Sequence, residues 1–154
     1  METETRVKYP RTYHFPWSPG VTNDDRVLSN LDSFQGQIVV ATAKMDGENT
    51  TMYRDGVHAR SLDSDSHPSR SWVRSLQGRI GQDIPRGWRI CGENLYARHS
   101  IEYKNLADYF QVFSVWNERN VCLPWAETLE WVAILGLTPV PVLYEGAWNE
   151  SKIR

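Results

Sequence analysis

The dipeptide Asp55-Gly56 constrains the fold of this chain more than any other short feature. It lies between two runs of alternating polarity, residues 48–54 and 57–63. An Asp-Gly pair in that setting is a strong signal for a β-hairpin, because glycine can supply the positive φ that such a turn requires. The sequence therefore predicts an antiparallel hairpin in the first half of the chain.

A two-residue loop at this dipeptide pairs Tyr53 with His58 and thereby fixes the other pairs of the hairpin. Cross-strand partners share a face of the sheet. One face is therefore predicted to hold Asn49, Thr51, Tyr53, His58, Arg60 and Leu62. Asn49 and Arg60 then face one space, next to Lys44. An amide, a guanidinium and an amine together suit a phosphate-bearing ligand, although the same pattern also fits solvated residues on a surface.

The remaining pattern predicts an α+β fold, with mostly antiparallel sheets and packed helices. The β-branched run at residues 37–43 predicts a strand that delivers Lys44 to its end. Further strands are predicted at residues 88–93, 109–116 and 140–144, and helices at residues 23–31, 67–76 and 124–135. Gly136 is predicted to end the last helix. Strands that arrive first as a hairpin and later alternate with helices are typical of the α+β class. Residues 1–22 are predicted to form an extended N-terminal arm with aromatic anchors.

The composition is that of one soluble globular domain, with 40% hydrophobic and 23% charged residues in a chain of 154. The formal net charge of -2 excludes a global basic field, so any contact with nucleic acid must be local. No stretch approaches the roughly 18 apolar residues of a membrane span, and no signal peptide is recognisable, so we expect a soluble, cytoplasmic protein. Cys91 and Cys122 form no CxxC pair and the histidines are dispersed, so no disulfide framework and no metal ligands are identified.

Four motifs occur in the order found in the covalent nucleotidyltransferases, the group of polynucleotide ligases and mRNA capping enzymes. They are KMDGEN (residues 44–49), HARSLDS (58–64), ICGENLYA (90–97) and YFQVFSVWNE (109–118). The extended pattern K-x-x-G-x-N resembles ATP-dependent RNA ligases of the T4 RNA ligase 2 type. The resemblance covers about residues 39–148 and implies a partial nucleotidyltransferase domain, an ATP-grasp-like ligase fold.

The resemblance implies that Lys44 is the catalytic nucleophile. It would attack the α-phosphorus of ATP to give a lysyl-adenylate, with Mg²⁺ or Mn²⁺ neutralising the triphosphate. The lysine amine must be deprotonated to act in this way. The AMP would then pass to a 5′-phosphate RNA end, and a 3′-hydroxyl would displace it and seal the strand. The implied role is therefore RNA repair, with RNA ends as partners.

The resemblance also assigns nucleotide-binding roles to six further residues. They are Asp46, Gly47, Asn49, Arg60, Glu93 and Phe113. Asp46 and Gly47 would shape the loop around the lysine. Glu93 would accept hydrogen bonds from the ribose hydroxyls, and Phe113 would stack on the adenine. Arg60 would hold the nucleotide or the phosphate of the nucleic-acid strand, and Asn49 matches the amide of the first motif.

Two departures from the family pattern leave other functions open. Ala43 replaces the glutamate that many such ligases carry before the lysine, and the motifs that supply a metal-binding glutamate and phosphate-binding lysines are not found. The sequence 145–154 imitates them, but Glu145 and Lys152 are too close in sequence for two paired strands and a turn. We therefore expect a single incomplete domain, with a further C-terminal domain possible and with weak or no ligation by this chain. The alternatives are a catalytically dead nucleotide- or RNA-binding module, a DNA ligase and a capping guanylyltransferase.

Overall fold

The computed structural model describes residues 5–19, 21–22, 25–59, 68–96 and 109–154, with the backbone alone described for residues 68–70. The helices and strands are β1 (Ile38–Thr42), β2 (Glu48–Tyr53), β3 (Gly56–Ala59), α1 (Pro68–Ile80), β4 (Arg89–Asn94), β5 (Phe110–Trp116), α2 (Trp125–Ile134), β6 (Thr138–Pro139), β7 (Val142–Ala147) and α3 (Glu150–Ile153). Single 3₁₀ turns lie at Asp32–Phe34 and Gly81–Asp83. The chain divides into two compact units. One comprises Met1–Tyr9 and Lys44–Val140 and the other Pro10–Ala43 and Pro141–Arg154, in each case as far as their residues are described.

The first unit is built on a five-stranded sheet with the order β3-β2-β4-β5-β6. Its ladders are antiparallel except for the short parallel pairing of β5 with β6. The predicted α+β class with a mostly antiparallel sheet is therefore confirmed.

One face of this sheet carries the hydrophobic core. Met52 pairs with Ile90 and Ile90 with Val115, so these three side chains form one row across β2, β4 and β5. All three are fully buried, and α1 adds Val73 and Leu76 from its apolar side. The same cluster contains Ile84, Phe110, Val112, Val132, Leu135 and Leu137. Each such side chain contributes about 1.5–3 kcal/mol by leaving water, so the core fixes the strands that carry the opposite face.

The hairpin of β2 and β3 is confirmed, but its predicted register is wrong by two residues. Thr51, and not Tyr53, pairs with His58, so the turn consists of residues 54–55. Gly56 is the first residue of β3 and has no positive φ, contrary to the prediction. A slip of two residues keeps every side chain on its predicted face, because the side-chain period of a strand is two. Thr51, Tyr53 and His58 therefore still lie on one face.

Strand β5 contains a β-bulge at Phe113. Residues 91–92 of β4 pair with Ser114 and Val112, which leaves Phe113 without a partner in this ladder. The extra residue reverses the alternation of the strand. For that reason Val112 and Val115, three positions apart, both lie in the core.

Helix α2 ends as predicted. Gly136 has a φ of 68°, its N–H donates to Ala133 O at 3.1 Å, and the N–H of Leu137 donates to Val132 O at 2.9 Å. This pair of bonds is a Schellman motif, in which glycine adopts the left-handed conformation at little cost. Helix α1 extends to Ile80, four residues beyond its predicted end. No helix in the described part of the chain is both long and apolar enough to cross a membrane.

The helix predicted at residues 23–31 is wrong, because residues 25–31 contain no helix. The Asp25 carboxylate instead accepts a hydrogen bond from the Thr22 N–H at 2.8 Å. Such local bonds from aspartate compete with helix formation. Val27 then forms an isolated parallel bridge with His14.

The second unit contains the two-stranded antiparallel sheet of β1 and β7. Strand β1 lies within the predicted residues 37–43. The strand predicted at residues 140–144 is present as β7, but it begins at Val142, after Pro141, and extends to Ala147. Proline cannot donate to a ladder, which is consistent with a start beyond Pro141. Lys152 lies in α3 and not in a strand, which agrees with the expectation that residues 145–154 only imitate the later family motifs.

Aromatic rings of the N-terminal arm pack within this second unit. Phe15 stacks on Trp17 with ring centroids 4.8 Å apart, and Phe34 stacks on Trp148 at 4.7 Å. Phe15 and Trp17 are thus in ring contact within this unit, whereas the Tyr13 side chain is 55% exposed.

Candidate nucleotide site

The loop that carries Lys44 is tied to strand β4 through Gly47 and Glu93. The Gly47 N–H donates to Glu93 Oε1 at 3.1 Å. A Cβ atom at Gly47 would fall on the Asn94 carbonyl oxygen and within 2.9 Å of Leu95 Cδ2. Gly47 is therefore required for close approach of two backbones and not for a positive φ. The lysine loop and the glutamate strand can come together only because this residue has no side chain.

Asn49 and Glu93 are direct cross-strand partners on the face opposite the core. Asn49 of β2 pairs with Glu93 of β4, and Glu93 pairs with Gln111 of β5. The Oδ1 atom of Asn49 is buried and makes no hydrogen bond within the described residues. A buried acceptor without a donor costs about 1–3 kcal/mol, so this atom suits a donor supplied by a ligand.

The Glu93 carboxylate has three charged neighbours: the carboxylates of Asp46 and Glu48 and the amine of Lys44. Burial raises the pKa of the Glu93 carboxyl above its usual value, and the charges of Asp46 and Glu48 act in the same direction. The hydrogen bond from Gly47 and the positive charge of Lys44 lower the same pKa. Glu93 is half-buried, whereas Lys44 and Asp46 are exposed. The glutamate is thus partly desolvated and the lysine is accessible to a ligand in solution.

The structure describes all but one of the site residues that the sequence singled out, and it brings most of them together. Asn49 and Glu93 are direct cross-strand partners, the Gly47 N–H donates to Glu93, and the charges of Lys44 and Asp46 act on Glu93. Phe113 is half-buried at the bulge of β5, diagonal to Glu93 across the β4–β5 ladder. Arg60, predicted to face Asn49, lies outside the described residues.

Sequence reasoning missed the contribution of residues 5–9, which we call the N-terminal strap. The Val7 N–H donates to the Tyr53 hydroxyl at 2.7 Å. Arg6 pairs with Asp55 at 2.6 Å. Tyr9 meets the Phe113 ring edge-on, with centroids 5.3 Å apart. No local signal in the sequence indicated these contacts, because they join residues more than 40 positions apart.

The polar face under the strap also holds a buried histidine. The Tyr53 hydroxyl shares a hydrogen bond with His58 Nε2 at 2.9 Å, and His58 Nδ1 bonds to the Ala59 carbonyl. Burial lowers the pKa of His58, and the nearby charges of Arg6 and Arg89 act in the same direction. With Nδ1–H donating to the carbonyl, neutral His58 accepts a hydrogen bond from the Tyr53 hydroxyl at Nε2.

Metal ligands are not grouped in the described part of the chain. No set of three or more His, Cys, Asp and Glu side chains there is placed to hold an ion. Asp46, Glu48 and Glu93 offer the oxygen ligands that Mg²⁺ and Mn²⁺ prefer, but they do not form such a set. We therefore assign no metal ligand.

Comparisons with known proteins bear on the family and on the fold of this chain. The sequence model of the RNA ligase family matches residues 37–154. A comparison with curated proteins finds no match.

Solved structures with a similar fold include three of Naegleria gruberi RNA ligase variants. Two are apo forms, with TM-scores of 0.59 and 0.56, and the third contains AMP and Mn, with a TM-score of 0.60. Each is 20% identical to this chain and is matched over 77% of it. The chain spans only 39% to 40% of the length of those proteins. At this level of identity the likeness is one of fold.

Proposed function

Because the chain belongs to the RNA ligase family, we propose that it carries the nucleotide-binding part of an ATP-dependent RNA ligase of the T4 RNA ligase 2 type. The observation that carries the proposal is the hydrogen bond from Gly47 to Glu93. It joins the lysine motif to the Gly-Glu motif, which are 46 positions apart in the chain. Two motifs with separate roles in one nucleotide site must lie together in space, and here they do.

In the proposed reaction Lys44 becomes covalently adenylated. Its Nζ, after losing a proton to solvent, forms a bond to the α-phosphorus of ATP while the bond from that phosphorus to the bridging oxygen breaks and pyrophosphate leaves. The AMP group is then transferred to the 5′-phosphate of an RNA end. Attack by a 3′-hydroxyl seals the strand and releases AMP. The exposure of Lys44 supports the first step, since an incoming triphosphate can reach the amine.

Glu93 and Asn49 are proposed to hold the ribose. A carboxylate has lone pairs for several hydrogen bonds, so Glu93 can accept the Gly47 N–H and still accept a ribose hydroxyl. The buried Oδ1 of Asn49 lies beside it and can accept a second donor. Phe113 is proposed to stack on the adenine, Asp46 to shape the loop, and Arg60 to bind a phosphate.

Divalent metal, as Mg²⁺ or Mn²⁺, would neutralise the negative charge that the triphosphate carries in this reaction. The carboxylates of Asp46, Glu48 and Glu93 give the site a negative field beside Lys44. That field favours a cation near the lysine, although these residues do not by themselves form a ligand set.

The proposal is tested by incubating the chain with ATP labelled on the α-phosphate, together with Mg²⁺ or Mn²⁺. We expect covalent label on the wild-type chain and none on Lys44→Arg, which keeps the positive charge but cannot be deprotonated at neutral pH. Lys152→Ala, which removes another exposed lysine, is the matched control and should keep the label. Label that survives Lys44→Arg would overturn the assignment.

The second candidate is a nucleotide- or RNA-binding module that no longer reacts. Ala43, in place of the family glutamate, favours it. Reversible binding of ATP without covalent label, in a chain that includes any native C-terminal continuation, would support this module over the enzyme. Competition by GTP, and a comparison of RNA with DNA ends, would separate the capping and DNA ligase alternatives.

A further inference from the structure

The N-terminal strap is anchored on the β2–β3 hairpin. Arg6 forms an ion pair with Asp55 at 2.6 Å, and its guanidinium lies 4.4 Å from the centre of the Tyr53 ring. A Cβ atom at Gly56 would come within 2.6 Å of Arg6 Nη2, so glycine at this position leaves room for the arginine. The Val7 N–H then bonds to the Tyr53 hydroxyl. These contacts fix the path of the strap across the face opposite the core.

Tyr9 ends the strap on the aromatic residues of β5. Its ring meets Phe113 at 5.3 Å with planes at 84°, and Trp116 at 6.3 Å with planes at 88°. Its hydroxyl shares a hydrogen bond with Ser114. Tyr9 therefore contacts the bulged residue itself and two residues that follow it in β5.

The bulge makes Phe113 dependent on tertiary contacts. In a regular ladder a side chain is held by its cross-strand partner, but Phe113 has none in β4. Among the described residues, Tyr9 is the aromatic ring in contact with it. Edge-to-face pairs of this geometry contribute beyond simple burial, so Tyr9 can select one orientation of the Phe113 ring.

We propose that Tyr9 is a positioning residue of the nucleotide site, which holds the bulged Phe113 ring in the orientation that accepts the adenine base. The inference rests on the proposed function, because it deepens the role given to Phe113. It makes the N-terminal strap one wall of the base-binding side of the site. Nucleotide affinity then depends on a segment more than 30 residues before the lysine motif.

The test is a double-mutant cycle on AMP binding, measured by calorimetry with the 154-residue chain. AMP carries the base and the ribose but cannot react with Lys44. Tyr9→Ala should weaken AMP binding by about 2- to 10-fold, the range that corresponds to one aromatic pair. In the Phe113→Leu background the same change should have no further effect, because Tyr9 acts through Phe113. A merely structural role would give the same loss in both backgrounds and would overturn the proposal.

Two further variants complete the cycle. Tyr9→Phe keeps the ring contact and should restore affinity to near the wild-type value, although it loses the bond to Ser114. Tyr13→Ala removes an exposed ring of the same arm and should leave affinity unchanged. If Tyr9→Ala does not fold, as judged by circular dichroism, Tyr9→Leu replaces it in the cycle with the same expected result.

The outcomes separate the two proposals. A wild-type chain that binds neither AMP nor ATP argues against the proposed function itself. A wild-type chain that binds AMP, together with a folded Tyr9→Ala variant of equal affinity, overturns the role of Tyr9 and leaves the proposed function standing.

Discussion

The N–H of Gly47 and the Oε1 atom of Glu93 are joined by a 3.1 Å hydrogen bond between the lysine loop and the fourth strand. The bond is charge-assisted, because its acceptor is a carboxylate, and bonds of this class are about twice as strong as neutral ones. It holds the loop at a fixed place beside Glu93. The geometry of the proposed nucleotide site therefore depends on a glycine as much as on any reactive side chain.

Gly47→Ala is expected to disrupt the site more than the fold. The added Cβ would meet backbone at Asn94, which cannot move aside easily, and the expected cost is about 1–3 kcal/mol. AMP affinity should fall at least tenfold in the fraction that remains folded, as measured by calorimetry. Gly81→Ala is the matched control, since its Cβ would lie 2.6 Å from the Arg54 carbonyl oxygen. It should lower stability while leaving the affinity of folded protein intact, and equal affinity in both variants would contradict the prediction.

Glu93→Gln is expected to stabilise the fold at neutral pH while it weakens nucleotide binding. Burial raises the pKa of Glu93, so its ionisation disfavours the folded state. The wild-type chain should therefore lose stability relative to Glu93→Gln as the pH rises from below the usual value of glutamate through the raised value. The glutamine can still accept the Gly47 N–H, but a neutral acceptor weakens the bond to a ribose hydroxyl. Nucleotide affinity should fall about 10- to 100-fold.

The two properties of Glu93→Gln are measured by thermal unfolding at several pH values and by AMP titration at pH 8. Glu130→Gln, which makes the same change at an exposed carboxylate of α2, serves as a control for nonspecific effects on affinity. A variant that becomes less stable than wild type as the pH rises would show that the sign of the argument is wrong.

His58 is expected to make the fold sensitive to acid. Burial, with Arg6 and Arg89 nearby, lowers the pKa of His58, so the unfolded chain takes up this proton before the folded chain does. Stability should therefore be unaffected by this group above about pH 6.5 and should decline as the pH falls below it. His58→Gln removes that part of the decline. Denaturant unfolding of both proteins between pH 8 and pH 5 measures the free energy of unfolding. If that free energy declines equally with falling pH in both proteins, the prediction is contradicted.

Two exposed glycines are expected to respond to alanine with opposite signs. Gly136 has a φ of 68° with no atom near the added Cβ, so Gly136→Ala should cost about 1 kcal/mol through backbone strain alone. Gly78 lies within α1, also with open space at its Cβ, and Gly78→Ala should stabilise by about 0.5–1 kcal/mol. Urea unfolding at pH 7 measures both changes. If both variants change the free energy of unfolding in the same direction, the left-handed conformation of Gly136 is contradicted.

The elements that were predicted correctly are those with strong local signals. Strands β2, β4 and β5 and helix α2 follow from their β-branched runs and apolar spacing, and the end of α2 follows from Gly136. The hairpin was found, but its register was not, because an Asp-Gly pair fits a two-residue turn in more than one frame. The helix predicted at residues 23–31 does not form over residues 25–31, because the Asp25 carboxylate accepts a hydrogen bond from the local backbone instead.

The sequence and the tertiary structure account for different features of the proposed site. The sequence by itself determined which residues are proposed to carry the chemistry, since Lys44, Gly47, Asn49 and Glu93 lie in motifs that can be read along the chain. The resemblance to RNA ligases that those motifs indicated is confirmed by the family match. Only the tertiary structure decided that Gly47 meets Glu93, that Phe113 stands at a bulge, and that Tyr9 packs against it. The physical reason is that periodicity and motif spacing report on neighbours a few residues apart. These contacts instead depend on how the core aligns β2, β4 and β5, and on the path that the strap takes across the opposite face.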